Sequence, residues 1–152
     1  MNIIIEGPDG AGKSTLANEL AKLLNMSVRH FGAPRNSVEA AQQYSLYLDI
    51  TDGLYNTIID RAWYSDMVYG PIFRNGAHIN YQMMIHLERN LDDAVLIYCT
   101  GAEHEMWLAA QKRGETYVEN YTQFKEICRQ YDYIMKQVPH NIPVHIREAK
   151  WL

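Results

Sequence analysis

One stretch restricts the fold of this chain more than any other: Asn2 to Thr15, reading NIIIEGPDGAGKST. Ile3, Ile4 and Ile5 form an apolar, β-branched run, the pattern of a strand buried on both faces of a parallel sheet. Gly7-Pro8-Asp9-Gly10-Ala11-Gly12-Lys13-Ser14 follows and satisfies every position of G-x-x-x-x-G-K-[ST]. Leu16, Leu20, Leu23 and Leu24 then recur at helical spacing. A strand that turns through glycines into a helix makes a phosphate cradle. Backbone N–H groups curl around phosphate oxygens, and the helix N-terminus adds its positive end. Gly7 through Thr15 are therefore the candidate nucleotide-binding residues. Lys13 is expected to reach the β- and γ-phosphates of ATP, and the Ser14 hydroxyl to ligate Mg²⁺.

The rest of the chain alternates strands with helices. The first helix ends near Asn25. Ser27 to Phe31 reads as a second strand, stopped by Gly32-Ala33-Pro34, and Ser37 as the N-cap of a helix from Val38 to about Leu48. Asn56 to Asp60, NTIID, is a further β-branched strand. A helix or turn runs through Met67 and Tyr69 and is expected to break at Gly70-Pro71. Asn80 to Asn90 reads as a helix, Ala94 to Tyr98 as a strand and Glu103 to Lys112 as a helix. Tyr121 to Val138 reads as one long helix, and Pro143 to Ile146 as a last strand. This alternation predicts a single α/β domain over residues 1–152, a five-stranded parallel sheet with right-handed crossovers and flanking helices. Ligands in such sheets lie at the carboxyl ends of the strands.

That rule singles out Asp60-Arg61, at the end of a strand expected to lie beside the first. An acid there can hold Mg²⁺ through water or accept the proton of an attacking hydroxyl. Arg61 can neutralise phosphate charge by bidentate contact. Trp63 and Tyr64 follow. They serve either to pack a helix on the sheet or to stack on a base.

Composition narrows the partners. The 152 residues carry a formal net charge of -4 and 47% hydrophobic residues, an ordinary globular balance that weighs mildly against bulk DNA binding. No apolar run approaches membrane length, and the apolar opening is too short for a signal peptide. A cytoplasmic protein with no membrane partner is expected. Cys99 and Cys128 form no disulfide framework, and His30, His78, His86, His104, His140 and His145 show no repeated ligand spacing. The histidines read as surface or structural groups.

With these motifs in place, the chain resembles the thymidylate kinase family of P-loop nucleoside and nucleotide kinases. IEGPDGAGKST is similar to that family's glutamate-glycine-x-aspartate-glycine-x-glycine-lysine-serine/threonine segment. Asp60-Arg61, followed by an aromatic residue and Ser65, is similar to its aspartate-arginine-tyrosine segment. Tyr69-Gly70 with Arg74 resembles the stretch that carries a base-pocket arginine, and Arg113 stands where the family has a mobile lid. The resemblance implies a P-loop kinase three-layer sandwich with a short lid, using ATP and Mg²⁺. It implies catalytic roles for Asp9, Lys13, Asp60 and Arg61, ATP contact by Arg113, and substrate contact by Arg35, Arg74, Trp63 and Tyr69. Ser14 and Asp60 would hold the metal. The family carries an arginine-glutamate-proline segment after strand two; here that place reads Gly32-Ala33-Pro34, with Arg35 as the neighbouring substitute. Because the sequence ends soon after the last strand, the C-terminal helix of that family is expected to be absent.

The expected reaction moves the γ-phosphoryl of ATP to a nucleotide-type acceptor, foremost a deoxynucleoside monophosphate. Small bacteriophage kinases of this lineage also phosphorylate 5-hydroxymethyluracil in DNA. DNA therefore remains a candidate substrate, through a flipped base in a local groove, and the host cytoplasm a candidate location. A P-loop ATPase or nucleotide switch is the other class. It would need a water-positioning residue and effector loops, which the sequence does not display. A homodimer is left open.

Overall fold

β1, Asn2–Glu6, is buried at every position, as its isoleucine run requires. The computed structural model describes residues 1–31, 37–114 and 118–149. After β1 come α1 (Lys13–Leu24), β2 (Ser27–His30), α2 (Ser37–Thr51), β3 (Thr57–Asp60) and α3 (Trp63–Phe73). α4 (Tyr81–Asn90), β4 (Ala94–Thr100), α5 (Glu103–Arg113), α6 (Tyr121–Asp132) and β5 (Val144–Glu148) complete the order, with a π-helical turn over Tyr133–Gln137.

The five strands form one sheet in the order β2-β3-β1-β4-β5, and every neighbouring pair is parallel. This is the expected α/β architecture. β1 lies at the centre, with Ile4 opposite Ile59 of β3 and Leu96 of β4. The carboxyl end of β1 thus opens between those of β3 and β4, so the glycine loop, Asp60 and Thr100 share one rim. Buried Asn2 helps fix that arrangement. Its side chain donates to the Leu54 and Asp92 carbonyls and accepts from the Thr57 backbone.

The core joins Ile4, Ile5, Ile58, Ile59 and Leu96 of the sheet to Trp63, Tyr64, Phe124 and Tyr131 of the helices. Each such side chain contributes roughly 1.5–3 kcal/mol by leaving water. α1 packs against β1, β2 and β3, while α3 and α5 both pack against α6.

Two expectations are corrected. Gly70-Pro71 does not break α3, which continues to Phe73 with Pro71 inside it. The chain instead doubles back just beyond: Arg74 N and Gly76 N both donate to the Gly70 carbonyl. A Cβ at Gly70 would lie 2.6 Å from the Gly76 oxygen, so the glycine serves this return and not a helix stop. Burial of Val68 and Tyr69 outweighs the local cost of the proline. The long helix expected from Tyr121 to Val138 is α-helical only to Asp132, and the π-helical turn finishes it. α2 also runs on to Thr51, where the threonine hydroxyl donates to the Tyr47 carbonyl.

Candidate active site

The glycine loop is shaped by its backbone before any side chain acts. Gly10 adopts φ +79°, and a Cβ there would lie 2.1 Å from the Met106 carbonyl oxygen. The loop is thereby pressed against α5 with no room for a side chain. Gly12, at φ +82°, leads into α1 without a side-chain cap, so the first N–H groups of the helix stay directed at the loop. Pro8 and Ala11 are buried, Asp9 is half-buried, and Ser14 and Thr15 are exposed on the first turn.

Lys13 folds back over the loop and donates to the Pro8 carbonyl at 2.7 Å. It is 6% exposed. Burial, reinforced by the Arg61 charge, lowers its pKa to about 7, against the pull of Asp9, Glu6 and Asp60. Phosphate oxygens placed beside it would favour its charged form.

β3 delivers Asp60 to the same rim. Ser14 Oγ donates to Asp60 Oδ2 at 3.5 Å, joining the two expected metal-site residues. Among the described residues no group of three or more histidine, cysteine or carboxylate side chains could hold a metal unaided. Ser14 and Asp60 instead fit Mg²⁺, which takes one or two protein oxygens and the rest from phosphates and water. His30 Nδ1, from β2, also meets Asp60 Oδ2 at 3.2 Å.

Arg61 is held from several sides. It adopts φ +65°, while its backbone N–H donates to the Ile5 carbonyl. Its guanidinium pairs with Asp9, contacts Ser65 Oγ at 3.3 Å and lies over the Tyr69 ring. Burial opposes its charge, but Tyr131, Tyr69, Asp9 and Glu6 more than offset that, and it stays cationic. Asp9, Lys13, Asp60 and Arg61, the four expected catalytic residues, thus lie in one cluster, with Tyr69 at its edge.

Sequence reasoning missed the residue behind this cluster. Glu6, fully buried at the end of β1, accepts from the Ala62 and Ser65 backbone N–H groups at 2.7 and 3.1 Å. It also accepts from Ser65 Oγ and Tyr131 Oη. Burial raises its pKa against the pull of Arg61, the Ala62 N–H, Ser65 and Lys13. The carboxylate therefore caps α3 from another strand and ties the glycine loop to the Asp60-Arg61 turn. Arg147 of β5 was also overlooked. Its guanidinium would be 3.9 Å from a Cβ on Gly12, a second cation beside the loop.

Other expected residues stand elsewhere. Of the two roles left open for Trp63, the structure shows packing: it is fully buried, against Tyr47 and Tyr64. Arg74 donates to buried Asp66 at 2.9 Å, and Asp66 also accepts from the His78 and Ile79 backbone. That arginine braces the loop after α3. Arg113 is exposed on the last turn of α5, ahead of left-handed Gly114. Arg35 and the Gly32-Ala33-Pro34 segment lie outside the described residues.

No protein-family model and no curated protein matches the chain. Solved structures do. The YorR protein of Bacillus subtilis, in complex with phosphorylated GDP, superposes with a TM-score of 0.78 at 22% identity, over 97% of this chain and 85% of that one. A deoxyadenosine kinase from M. mycoides with bound dATP gives 0.72 at 20% identity, over 100% and 93%. The fold is that of the P-loop kinases. A gluconokinase from Sinorhizobium meliloti shares it at 0.64 with only 8% identity, over 99% and 83%. At these identities the likeness establishes architecture, and the chemistry must be argued from the site.

Proposed function

We propose that this protein is an ATP-dependent phosphotransferase moving the γ-phosphoryl of MgATP to a nucleotide-type acceptor. The observation that carries the reading is the meeting, on one rim, of a complete phosphate loop with a carboxylate and a buried arginine: Lys13 and Ser14 with Asp60 and Arg61. On this reading the glycine-loop N–H groups and Lys13 hold the β- and γ-phosphates, while Arg61 neutralises charge during transfer. Ser14 would ligate Mg²⁺, which would draw charge from the phosphate oxygens, while Asp60 would either order that ion through water or accept the proton of the acceptor. An ATPase would need only to position water. The kinase reading also accounts for the acid-arginine pair beside the loop.

The acceptor that the thymidylate kinase resemblance implies is a deoxynucleoside monophosphate. It would need a cation for its phosphate, and Arg74 is already engaged by Asp66. A second reading, a hydroxyl on a nucleoside or on 5-hydroxymethyluracil in DNA, is favoured by the His30–Asp60 contact, because an alcohol must lose a proton. The likeness to the deoxyadenosine kinase supports a nucleotide-type acceptor in either case. The test is transfer of label from γ-labelled ATP to thymidylate, thymidine and duplex DNA containing 5-hydroxymethyluracil. Label in any of the three supports a kinase. Label only in inorganic phosphate, at a rate indifferent to all three, refutes it.

A further inference from the structure

We propose that Arg147 binds the α-phosphate of the donor nucleotide, the phosphate next to the ribose that ATP and ADP share. The inference rests on the reading of MgATP as phosphoryl donor. It adds a binding group and the direction in which the nucleotide lies across the rim. β5 is a parallel neighbour of β4, and Arg147 pairs in register with Cys99. Cys99 lies directly against the phosphate loop, since a Cβ on Gly7 would collide with its carbonyl. The sheet itself therefore carries Arg147 to the loop. There its Nη1 stands 3.9 Å from the place that a Cβ on Gly12 would occupy. Apart from Gly12's neighbours in the chain, nothing else among the described residues comes within 4 Å of that place.

The charge is out of place unless an anion comes between. Gly12 is the N-cap of α1, with no side-chain cap, and the first turn of that helix carries no acidic residue. A guanidinium beside the positive end of a helix is repelled by it. Arg147 is exposed, so it serves no buried ion pair. It does reach the Cys99 thiol, whose pKa burial raises and Lys13, then Arg147, draw back. Two cations thus converge on the end of the strand beside the loop. A phosphate held by the loop N–H groups would satisfy the guanidinium and the helix end together.

Position along the rim selects the phosphate. β1 lies between β3 and β4, and β5 lies beyond β4. Asp60 and Arg61, the groups expected at the transfer point, come from the β3 side, and Ser14 turns its hydroxyl to Asp60. Arg147 comes from the opposite side. A triphosphate laid along the loop with its γ-phosphate at Asp60 therefore carries its α-phosphate towards β5. Neither the bonds nor the charge of that phosphate change during transfer. A contact there binds ground state and transition state equally, and shows in KM and not in kcat.

Arg147→Gln and Arg147→Lys test this, with MgATP and MgADP as the titrated probes. Arg147→Gln should lose about tenfold in affinity for both nucleotides, the scale of one charge-assisted phosphate contact. Its KM for ATP should rise in step, while kcat with the best acceptor and the melting temperature without nucleotide stay those of the wild type. Arg147→Lys should recover part of the affinity through its charge. Unchanged affinity of Arg147→Gln for both nucleotides overturns the proposal. A loss confined to ATP, or a fall in kcat, also overturns it, since either moves Arg147 to the γ-phosphate. Equal losses in both variants with a lowered melting temperature mark a structural role and overturn it too. Wild-type binding of both nucleotides without transfer to thymidylate, thymidine or DNA containing 5-hydroxymethyluracil ends the kinase reading alone, and the same titrations still decide this inference. A wild-type protein that binds neither nucleotide overturns both.

Discussion

Binding of ATP should draw a proton onto Lys13. In the ligand-free site burial and Arg61 hold this lysine at a pKa of about 7. Phosphates beside it would reverse both effects and return it toward the ordinary lysine value of about 10.4. The free protein is then roughly half neutral at Lys13 near pH 7 and about nine-tenths neutral near pH 8, whereas the complex is charged throughout. Binding should therefore take up about half a proton near pH 7 and nearly a whole one near pH 8. By linkage, affinity for MgATP should fall as pH rises, by about fiftyfold between pH 7 and pH 9. Titration calorimetry in two buffers of different ionisation enthalpy reads the uptake directly. Lys13→Arg supplies the control, since a guanidinium stays charged and its complex should show no such uptake. Buffer-independent heats together with a flat affinity from about pH 7 to 9 would refute the claim that burial neutralises Lys13 in the empty site.

Three further outcomes follow from the same geometry. Gly10→Ala would set a Cβ 2.1 Å from the Met106 carbonyl at φ +79°, so ATP affinity should drop at least about tenfold by titration; unchanged affinity would show that the loop binds in another shape. Asp60→Asn should lower kcat for a hydroxyl acceptor by about a hundredfold with ATP affinity nearly kept; if raised Mg²⁺ restores the rate, Asp60 acts on the metal and not on the acceptor. His140 donates to the Ile134 carbonyl and meets buried Glu88 at 2.7 Å, bonds that outweigh burial and raise its pKa. Its protonation should stabilise the fold fully below about pH 6.5 and cease to do so as pH rises through the raised folded pKa. The difference in melting temperature between wild type and His140→Gln should shrink over that window, and a constant difference would contradict it.

The sheet and its phosphate loop were legible because their signals are local. Ile3 to Ile5 and Ile58-Ile59 are continuous β-branched runs, and the glycine loop occupies consecutive positions. Asp60 was legible through a topological rule, since the end of a strand beside β1 must face the loop. What stayed hidden depends on partners distant in sequence. Glu6 reads as part of a strand until Ala62, Ser65 and Tyr131 are brought around it. Arg74 reads as a ligand residue until Asp66, itself held by the returning chain at His78, engages it. Trp63 was ambiguous because an aromatic after Asp-Arg suits packing and stacking alike, and only its burial decides. His30 was set aside with the other histidines for want of ligand spacing. Strand register sets it against Asp60, which the ends of β2 and β3 do not display separately. Pro71 misled because a local breaker was overridden by the burial of the helix around it.

The central claim is that the site passes a phosphoryl group to an acceptor and does not merely release it. Single-turnover reaction of γ-labelled ATP, with protein in excess and the best acceptor saturating, measures this through the ratio of acceptor-bound label to ADP formed. The account predicts a ratio near one for the wild-type protein, with neither product formed by a folded Lys13→Ala variant. ADP accompanied by free inorganic phosphate, with a ratio near zero whatever the acceptor, would contradict it.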